Sequence, residues 1–159
     1  MSDARFEDGD EKALRLGAET PEDLEVISTL AQDAVAQTSD MSWAAKQRRF
    51  ALLLNRFRWE DKNRAESSGR AYERVQSLLV IDGALRVQTS GVTPDDKDLA
   101  LALLSVAFEA GEDGAGHVVL TFSGDGQIRV GVECLDVRLS DVSRPYIARA
   151  SRAPDHGDS

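Results

Sequence analysis

The sequence predicts an α+β fold in which a mostly antiparallel sheet, small and curled or barrel-like, carries one N-terminal helix packed on it. Three observations predict this class: one well-capped amphipathic helix, roughly eight later segments in which apolar and polar residues alternate, and short turns between those segments. Strands joined by tight turns pair antiparallel, and so many strands in a small domain must curl or split into two layers.

The chain has the size and composition of a single domain. A chain of 159 residues buries about 70% of its unfolded surface when it folds. Its composition, 42% hydrophobic and 30% charged, is that of a globular protein. We expect the domain at residues 12–146, with a flexible leader at residues 1–11 and a flexible tail at residues 147–159, because no hydrophobic period would bury these ends.

The charge and the cysteine content restrict the partners and the compartment. The net charge is −9 and the pI about 4.7, which disfavours nucleic acid and anionic membranes as partners. The N-terminus lacks the regions of a signal peptide, and no apolar run is long enough to cross a membrane. Because Cys134 is the single cysteine, no intramolecular disulfide can form, and we expect a cytoplasmic protein.

The first predicted elements are a short strand at residues 13–18 and the helix that follows it. Thr20 can cap this helix, Pro21 suits its first turn, and Glu22 and Asp23 complement the positive end of the helix dipole. Apolar residues then recur at three- and four-residue spacing: Leu24, Ile27, Leu30, Ala31 and Ala34. This stripe predicts a helix that packs on the sheet.

A central strand is predicted at residues 50–60. Its first half is apolar on both alternating faces, and in its second half aromatic residues alternate with charged ones. A helix is the alternative, since several of the apolar residues also fit a helical spacing. Residues 35–46 predict an edge strand or an irregular hairpin arm, and residues 61–72 predict a polar connection.

One hairpin is predicted from the dipeptide Asp82-Gly83. This pair suits a two-residue type I′ loop, in which both central residues need a positive φ. The strands on either side would then pair directly, with Val80 opposite Leu85.

A second hairpin is predicted around Gly126. Its two strands place their apolar residues on one face only if the loop has an odd number of residues, so we expect Ser123 to pair with Gln127 and Gly126 to be left-handed. In that register His117 lies opposite Glu133.

Beyond this hairpin the apolar positions change from even to odd numbers, which predicts a bulge or a barrel corner near Cys134 and Leu135. Cys134 itself is expected to point inward as a small apolar residue. It is therefore not expected to form a nucleophilic pair with His117.

Metal and cofactor sites are not predicted. His117, His156 and Cys134 are too few for a zinc site, and the acidic run at residues 95–98 lacks the spacing of a calcium loop. The glycine-rich loop at residues 111–116 lacks the lysine of a P-loop, and no dinucleotide fingerprint is present. We therefore expect no cofactor and no metal.

Three stretches of the sequence are distinctive: Asp33-Ala34-Val35, the run from Arg48 to Glu60, and residues 135–145. In these stretches the chain resembles an alphaproteobacterial family of unknown function, domain of unknown function 2948. The resemblance spans residues 5–146, and its most specific piece is Asn55-Arg56-Phe57-Arg58-Trp59-Glu60. It implies a small cytoplasmic bacterial protein and brings no activity, ligand or catalytic residue.

The candidate site is the arginine-rich half of the central strand. A strand would place Arg48, Arg56 and Arg58 on one face and Trp59 on the other. Arginine and tryptophan are over-represented where proteins bind anions and partners. The candidate binding residues are Arg48, Asn55, Arg56, Arg58, Trp59 and Arg144, the last with Tyr146 beside it.

An alternative interpretation makes the same residues structural. The arginines would then pair with nearby carboxylates such as Glu60 and Asp61, and Phe57 and Trp59 would belong to the core.

The leading functional hypothesis is a non-enzymatic binding or regulatory module that docks a protein or a small anionic ligand. The alternative is an enzyme on a small barrel, with carboxylates such as Glu60, Glu133 or Asp141 performing acid-base chemistry. Binding of single-stranded RNA is a third hypothesis, and the negative net charge disfavours it. The sequence leaves the oligomeric state open.

Overall fold

The computed structural model describes residues 13–69, 72–92 and 99–147, and in these ranges the chain forms eleven strands and two α-helices. The strands are β1 (Arg15–Ala18), β2 (Val35–Gln37), β3 (Met41–Ala44), β4 (Arg49–Phe57), β5 (Glu73–Asp82), β6 (Ala84–Ser90), β7 (Ala100–Ala110), β8 (Gly116–Phe122), β9 (Gln127–Val132), β10 (Val137–Asp141) and β11 (Tyr146–Ile147). The helices are α1 (Pro21–Ala31) and α2 (Lys62–Ser68).

All the strands belong to one antiparallel sheet, which confirms the predicted α+β class. The order is β1-β10-β5-β4-β2-β7-β8-β9-β6, with β3 paired to β4 and β11 paired to β5. The sheet coils around one core, since Leu52 and Leu79 of the first half join the same buried cluster as Leu120 and Val130 of the second half. Among the described strands β1 and β6 remain unpaired with each other, so the sheet is curled and open.

Helix α1 begins where the sequence predicts. The Thr20 side chain accepts a hydrogen bond from the Asp23 amide at 3.2 Å, and Leu24, Ile27 and Ala31 are buried. On its sheet-facing side the hydroxyl of Ser28 accepts a hydrogen bond from the Val106 amide, which ties α1 to β7. The predicted first strand is also present, as β1.

The central strand is confirmed as β4, but it ends at Phe57. A 3₁₀ turn (Trp59–Asp61) follows it, and α2 then occupies most of the predicted polar connection. Residues 35–46 form β2 and β3 around a second short 3₁₀ turn. Because β2 pairs with both β4 and β7, it lies inside the sheet, whereas β3 pairs only with β4 among the described strands.

The hairpin predicted at Asp82-Gly83 is wrong. Both edges of β5 are occupied, since Val80 pairs with Ala51 of β4 and with Arg138 of β10. Gly83 does adopt a positive φ of 70°, but the chain uses this turn to leave β5 and to pair with β9 instead. The left-handed Gly83 agrees with the prediction, but Asp82 is not left-handed and ends β5, so neither the two-residue type I′ loop nor the predicted strand pairing is present.

The register predicted for the β8–β9 hairpin is wrong. Thr121, rather than Ser123, pairs with Gln127, so the loop is not the predicted one of residues 124–126. The left-handed residues are Gly124 and Asp125 rather than Gly126. The shift of two positions keeps the same side chains inward, so hydrophobic patterning alone does not separate the two registers. His117 therefore lies opposite Gly131, and the predicted pairing with Glu133 is wrong.

The change of apolar phase near Cys134 marks the connection between two strands. Strand β9 ends at Val132 and β10 starts at Val137. Of the two predicted alternatives, the change of phase is therefore a corner between two strands and not a bulge within one strand. Cys134 lies in this connection and is exposed. The inward position predicted for it is wrong because no strand alternation applies there.

The leader and the acidic run at residues 95–98 lie outside the described residues. So does the tail beyond Ile147, which closes strand β11.

Candidate functional site

Arg56 is a buried arginine in a closed network of hydrogen bonds. It continues the inward set of β4 that includes Leu52 and Leu54, and its exposed fraction is 0%. Its guanidinium donates to both carboxylate oxygens of Glu60, at 2.9 and 2.8 Å, and to Oδ1 of Asp141 at 3.0 Å. A charge in this position is stable only because both carboxylates accompany it.

The network around Arg56 joins four elements. Ser77 of β5 accepts from Nε of Arg56 at 2.9 Å and donates to Asp141 of β10 at 2.6 Å. The second oxygen of Asp141 accepts from the Leu14 amide at 2.9 Å, next to β1. Burial by itself lowers the pKa of Arg56, but the hydrogen bonds and charges of Glu60 and Asp141 outweigh burial and raise that pKa above its usual value.

Arg58 is also buried and ion-paired. Its guanidinium contacts the carboxylate of Glu73, and it lies 3.6 Å from Asp61 and 3.9 Å from Glu60. The interpretation in which these arginines pair with Glu60 and Asp61 is therefore confirmed. Arg56 and Arg58 are not presented to solvent as a docking face.

Trp59 and Asn55 are packed beside this network. The indole of Trp59 donates to the carbonyl oxygen of Gln32 at 3.0 Å, and its ring meets Phe57 edge to face with centroids 4.7 Å apart. Asn55 pairs with Val35 in the ladder. Its side-chain oxygen is buried without a hydrogen-bond partner in the described part of the chain.

Arg48 and Arg144 are exposed, unlike the buried pair of Arg56 and Arg58. Arg48 precedes β4 with a left-handed φ of 52° and pairs with Glu133 at 3.1 Å. Arg144 is exposed between β10 and β11. Because Arg48 is next to the start of β4 and Arg56 is near its end, the six candidate residues do not form one surface.

The carboxylates considered for catalysis are held by arginines. Glu60 and Asp141 both contact Arg56, and Glu133 contacts Arg48. Within the described ranges no group of three or more His, Cys, Asp or Glu side chains could hold a metal ion.

A concavity that sequence reasoning missed lies on the outer face of the second half of the sheet. One cross-strand row, Arg86 of β6, Gly131 of β9, His117 of β8 and Glu109 of β7, crosses it. We call it the Arg86–His117 groove, lined by this row and by small or apolar residues that include Leu85, Ala110, Ala115, Gly116 and Val132. Its volume is about 520 Å³.

Gly131 forms the floor of the groove. A Cβ atom there would lie 3.4 Å from Cγ of Arg86 and 3.8 Å from the ring of His117, so the two side chains flank a position with no side chain. A β-bulge between Ala84 and Arg86 interrupts the β6 register beside it and leaves Leu85 exposed. The sequence feature that marks this site is a glycine, Gly131, that faces outward in a strand whose neighbouring outward residues are polar. It identifies the site only when the strand register is known, because the register decides which side chains lie beside Gly131.

The charged residues of the groove differ in whether an ion-pair partner accompanies them. Glu109 pairs with Arg129 at 2.8 Å. The hydrogen bond from Arg129 lowers the pKa of Glu109 below its usual value, and the charges of Arg129 and His117 act in the same direction. In the part of the chain that the structure describes, Arg86 has no carboxylate partner.

The fold and the groove together define an open, coiled α+β sheet domain with a shallow small-molecule-sized concavity on its outer face. A family model described as "Protein of unknown function (DUF2948)" matches residues 14–156, and the chain belongs to this family. No curated protein and no solved structure matches the chain. Among the described helices, none is long and apolar enough to span a membrane.

Proposed function

We propose that this protein is a non-enzymatic binding or regulatory module that holds a small anionic ligand in the Arg86–His117 groove. The observation that carries the proposal is that the side chains of Arg86 and His117 flank Gly131 within a concavity of about 520 Å³, and that Arg86 has no carboxylate partner among the described residues. Small-molecule sites have volumes of about 300–1,000 Å³, with mostly apolar walls and a few polar groups that orient the ligand.

The proposed anion site differs from the one expected from the sequence, which was formed by the arginines of β4. Arg56 and Arg58 already have carboxylate partners and are buried, so an added anion would have to displace Glu60 or Asp141. Arg86 needs no such exchange, because it is exposed, lines the groove and has no carboxylate partner in the part of the chain that the structure describes. A protein partner was the other occupant expected from the sequence, and the size of the groove favours a small ligand over it.

A cytoplasmic location belongs to the same proposal. Its support is the absence of any second cysteine in the sequence and the exposure of Cys134, which suits a reducing compartment.

The proposal is tested by NMR titration of the full chain, using amide nitrogen–proton spectra. Hexanoate, benzoate and inorganic phosphate serve as probes. We expect at least one probe to shift the amide signals of His117 and Gly131, and the Arg86→Gln variant to lose that response.

The matched control is Arg144→Gln, which removes an exposed arginine outside the groove. It should keep the wild-type response. Shifts that are confined to residues outside the groove, or that survive Arg86→Gln and disappear in Arg144→Gln, would refute the assignment.

A further inference from the structure

We infer that the ligand of the Arg86–His117 groove is a monocarboxylate with an apolar body. The inference rests on the proposed function and specifies its ligand class. Three features of the groove carry it: its charge count, the state of its backbone donors and the chemistry of its walls.

The charges of the groove residues favour a ligand with a single negative charge. Arg129 and Glu109 form an ion pair and balance each other's charge. Arg86 has no carboxylate partner among the described residues, so its guanidinium leaves one positive charge in the row for a single negative charge on the ligand to balance. The net charge of −9 acts in the same direction at longer range.

The backbone of the groove floor offers no cradle for a phosphate. Phosphate sites commonly use several free amide groups at a helix N-terminus or in a glycine-rich nest. Here the floor consists of central strands, and Gly131 is paired on both sides, with Arg86 and with His117. The planar guanidinium of Arg86 suits a carboxylate, to which it can donate two parallel hydrogen bonds.

The walls account for the apolar body. Leu85 is 52% exposed at the bulge of β6, and the half-buried Ala115 also lines the groove. A hydrocarbon chain laid over these two residues would remove apolar surface from water on both partners. A carboxylate without such a body would gain only the contact with Arg86.

The test is a titration of the full wild-type chain with four probes: hexanoate, hexanamide, acetate and inorganic phosphate. Hexanamide keeps the body without the charge, and acetate keeps the charge without most of the body. We expect hexanoate to bind in the groove about tenfold or more tightly than each of the others, the difference expected for one charged hydrogen-bonded contact or a few buried methylene groups. Arg86→Gln should reduce hexanoate affinity to that of hexanamide.

The contrary outcomes separate the two proposals. If phosphate shifts the His117 and Gly131 signals as strongly as hexanoate, the monocarboxylate class is wrong and the anion site stands. If hexanamide binds as tightly as hexanoate, the charge is irrelevant and the inference also fails. If no probe binds in the groove, both the inference and the proposed function are overturned.

Discussion

Arg56 occupies a position that strand alternation makes internal. It follows Leu52 and Leu54 on the inward face of β4, and the last inward position of a strand lies near the end of the sheet, where carboxylates from other elements can reach it. The sequence showed that arginines and aromatic residues alternate there. It did not show that Asp141, 85 residues away, would meet the guanidinium, so the sequence left both a structural ion pair and a surface role open for a residue that is fully buried.

Replacement of Arg56 by leucine should strongly destabilise the fold. The variant would leave Asp141, whose side chain is 3% exposed, without its cation. Removal of one partner of a buried ion pair costs about 3–5 kcal/mol. Urea denaturation measures this loss, and Arg144→Leu, which removes an exposed arginine, should change stability by no more than about 0.5 kcal/mol. A cost for Arg56→Leu as small as that of the control would contradict the network.

Asp82 should contribute stability that depends on pH. Burial alone raises its pKa, but hydrogen bonds and charges from Arg49 and Arg138 outweigh burial and lower that pKa below its usual value. A lowered pKa in the folded state gives stability that is complete above the unfolded-state pKa of about 3.9 and is lost as the pH falls through the folded-state pKa.

The comparison of wild type with Asp82→Asn measures this effect. At about pH 7 the variant should be less stable by roughly 1 kcal/mol or less, the range for solvent-screened ion pairs. The difference should shrink as the pH falls below about 4, because Asp82 of the wild type then becomes protonated. An equal difference in unfolding free energy at neutral pH and at about pH 2 would contradict the ion-pair assignment.

Sequence features predicted correctly those secondary-structure elements that are determined by residues close together in the chain. The cap of α1 and the alternation of β4 depend on neighbouring residues, and both elements are present. The turn at Asp82-Gly83 also has the predicted positive φ at Gly83. The predicted pairing of β5 with β6 is wrong because β4 and β10, which are distant in sequence, occupy both edges of β5. A turn signal contains no information about such distant strands.

The β7–β8 hairpin should not tolerate a side chain at Gly116. A Cβ atom there would lie 2.3 Å from the carbonyl oxygen of Glu109 and 2.8 Å from the ring of Phe108. Because the carbonyl belongs to the paired strand, Gly116→Ala should destabilise the protein by about 1–3 kcal/mol, the usual cost of overpacking. Gly17→Ala is the control, since a Cβ atom at Gly17 would have no atom of the described residues within 4 Å apart from its chain neighbours. Equal urea midpoints for the two variants would contradict this close approach.

At the scale of the whole molecule, the groove exists only through the strand order. β6 and β7 are separated along the sheet by the β8–β9 hairpin, and their outward residues share a row only in the observed registers. The sequence predicted the fold class and the alternation of these strands. The sequence did not determine which residues lie in the cross-strand row of the groove. A shift of two residues in the hairpin would place Glu133 rather than Gly131 opposite His117 while leaving the core pattern unchanged.

A side chain placed in the space above Gly131 should exclude the ligand from the groove. Gly131→Val places a side chain between Arg86 and His117, where a Cβ atom has ordinary contact distances, and valine suits a strand. Gly17→Val is the matched control at an exposed position of β1. Hexanoate affinity is measured by titration for both variants, with urea midpoints to verify the folds.

We predict that Gly131→Val folds with near wild-type stability and binds hexanoate about tenfold or more weakly, while Gly17→Val binds it as the wild type does. A folded Gly131→Val variant that binds hexanoate as tightly as the wild type would contradict the claim that the groove holds the ligand.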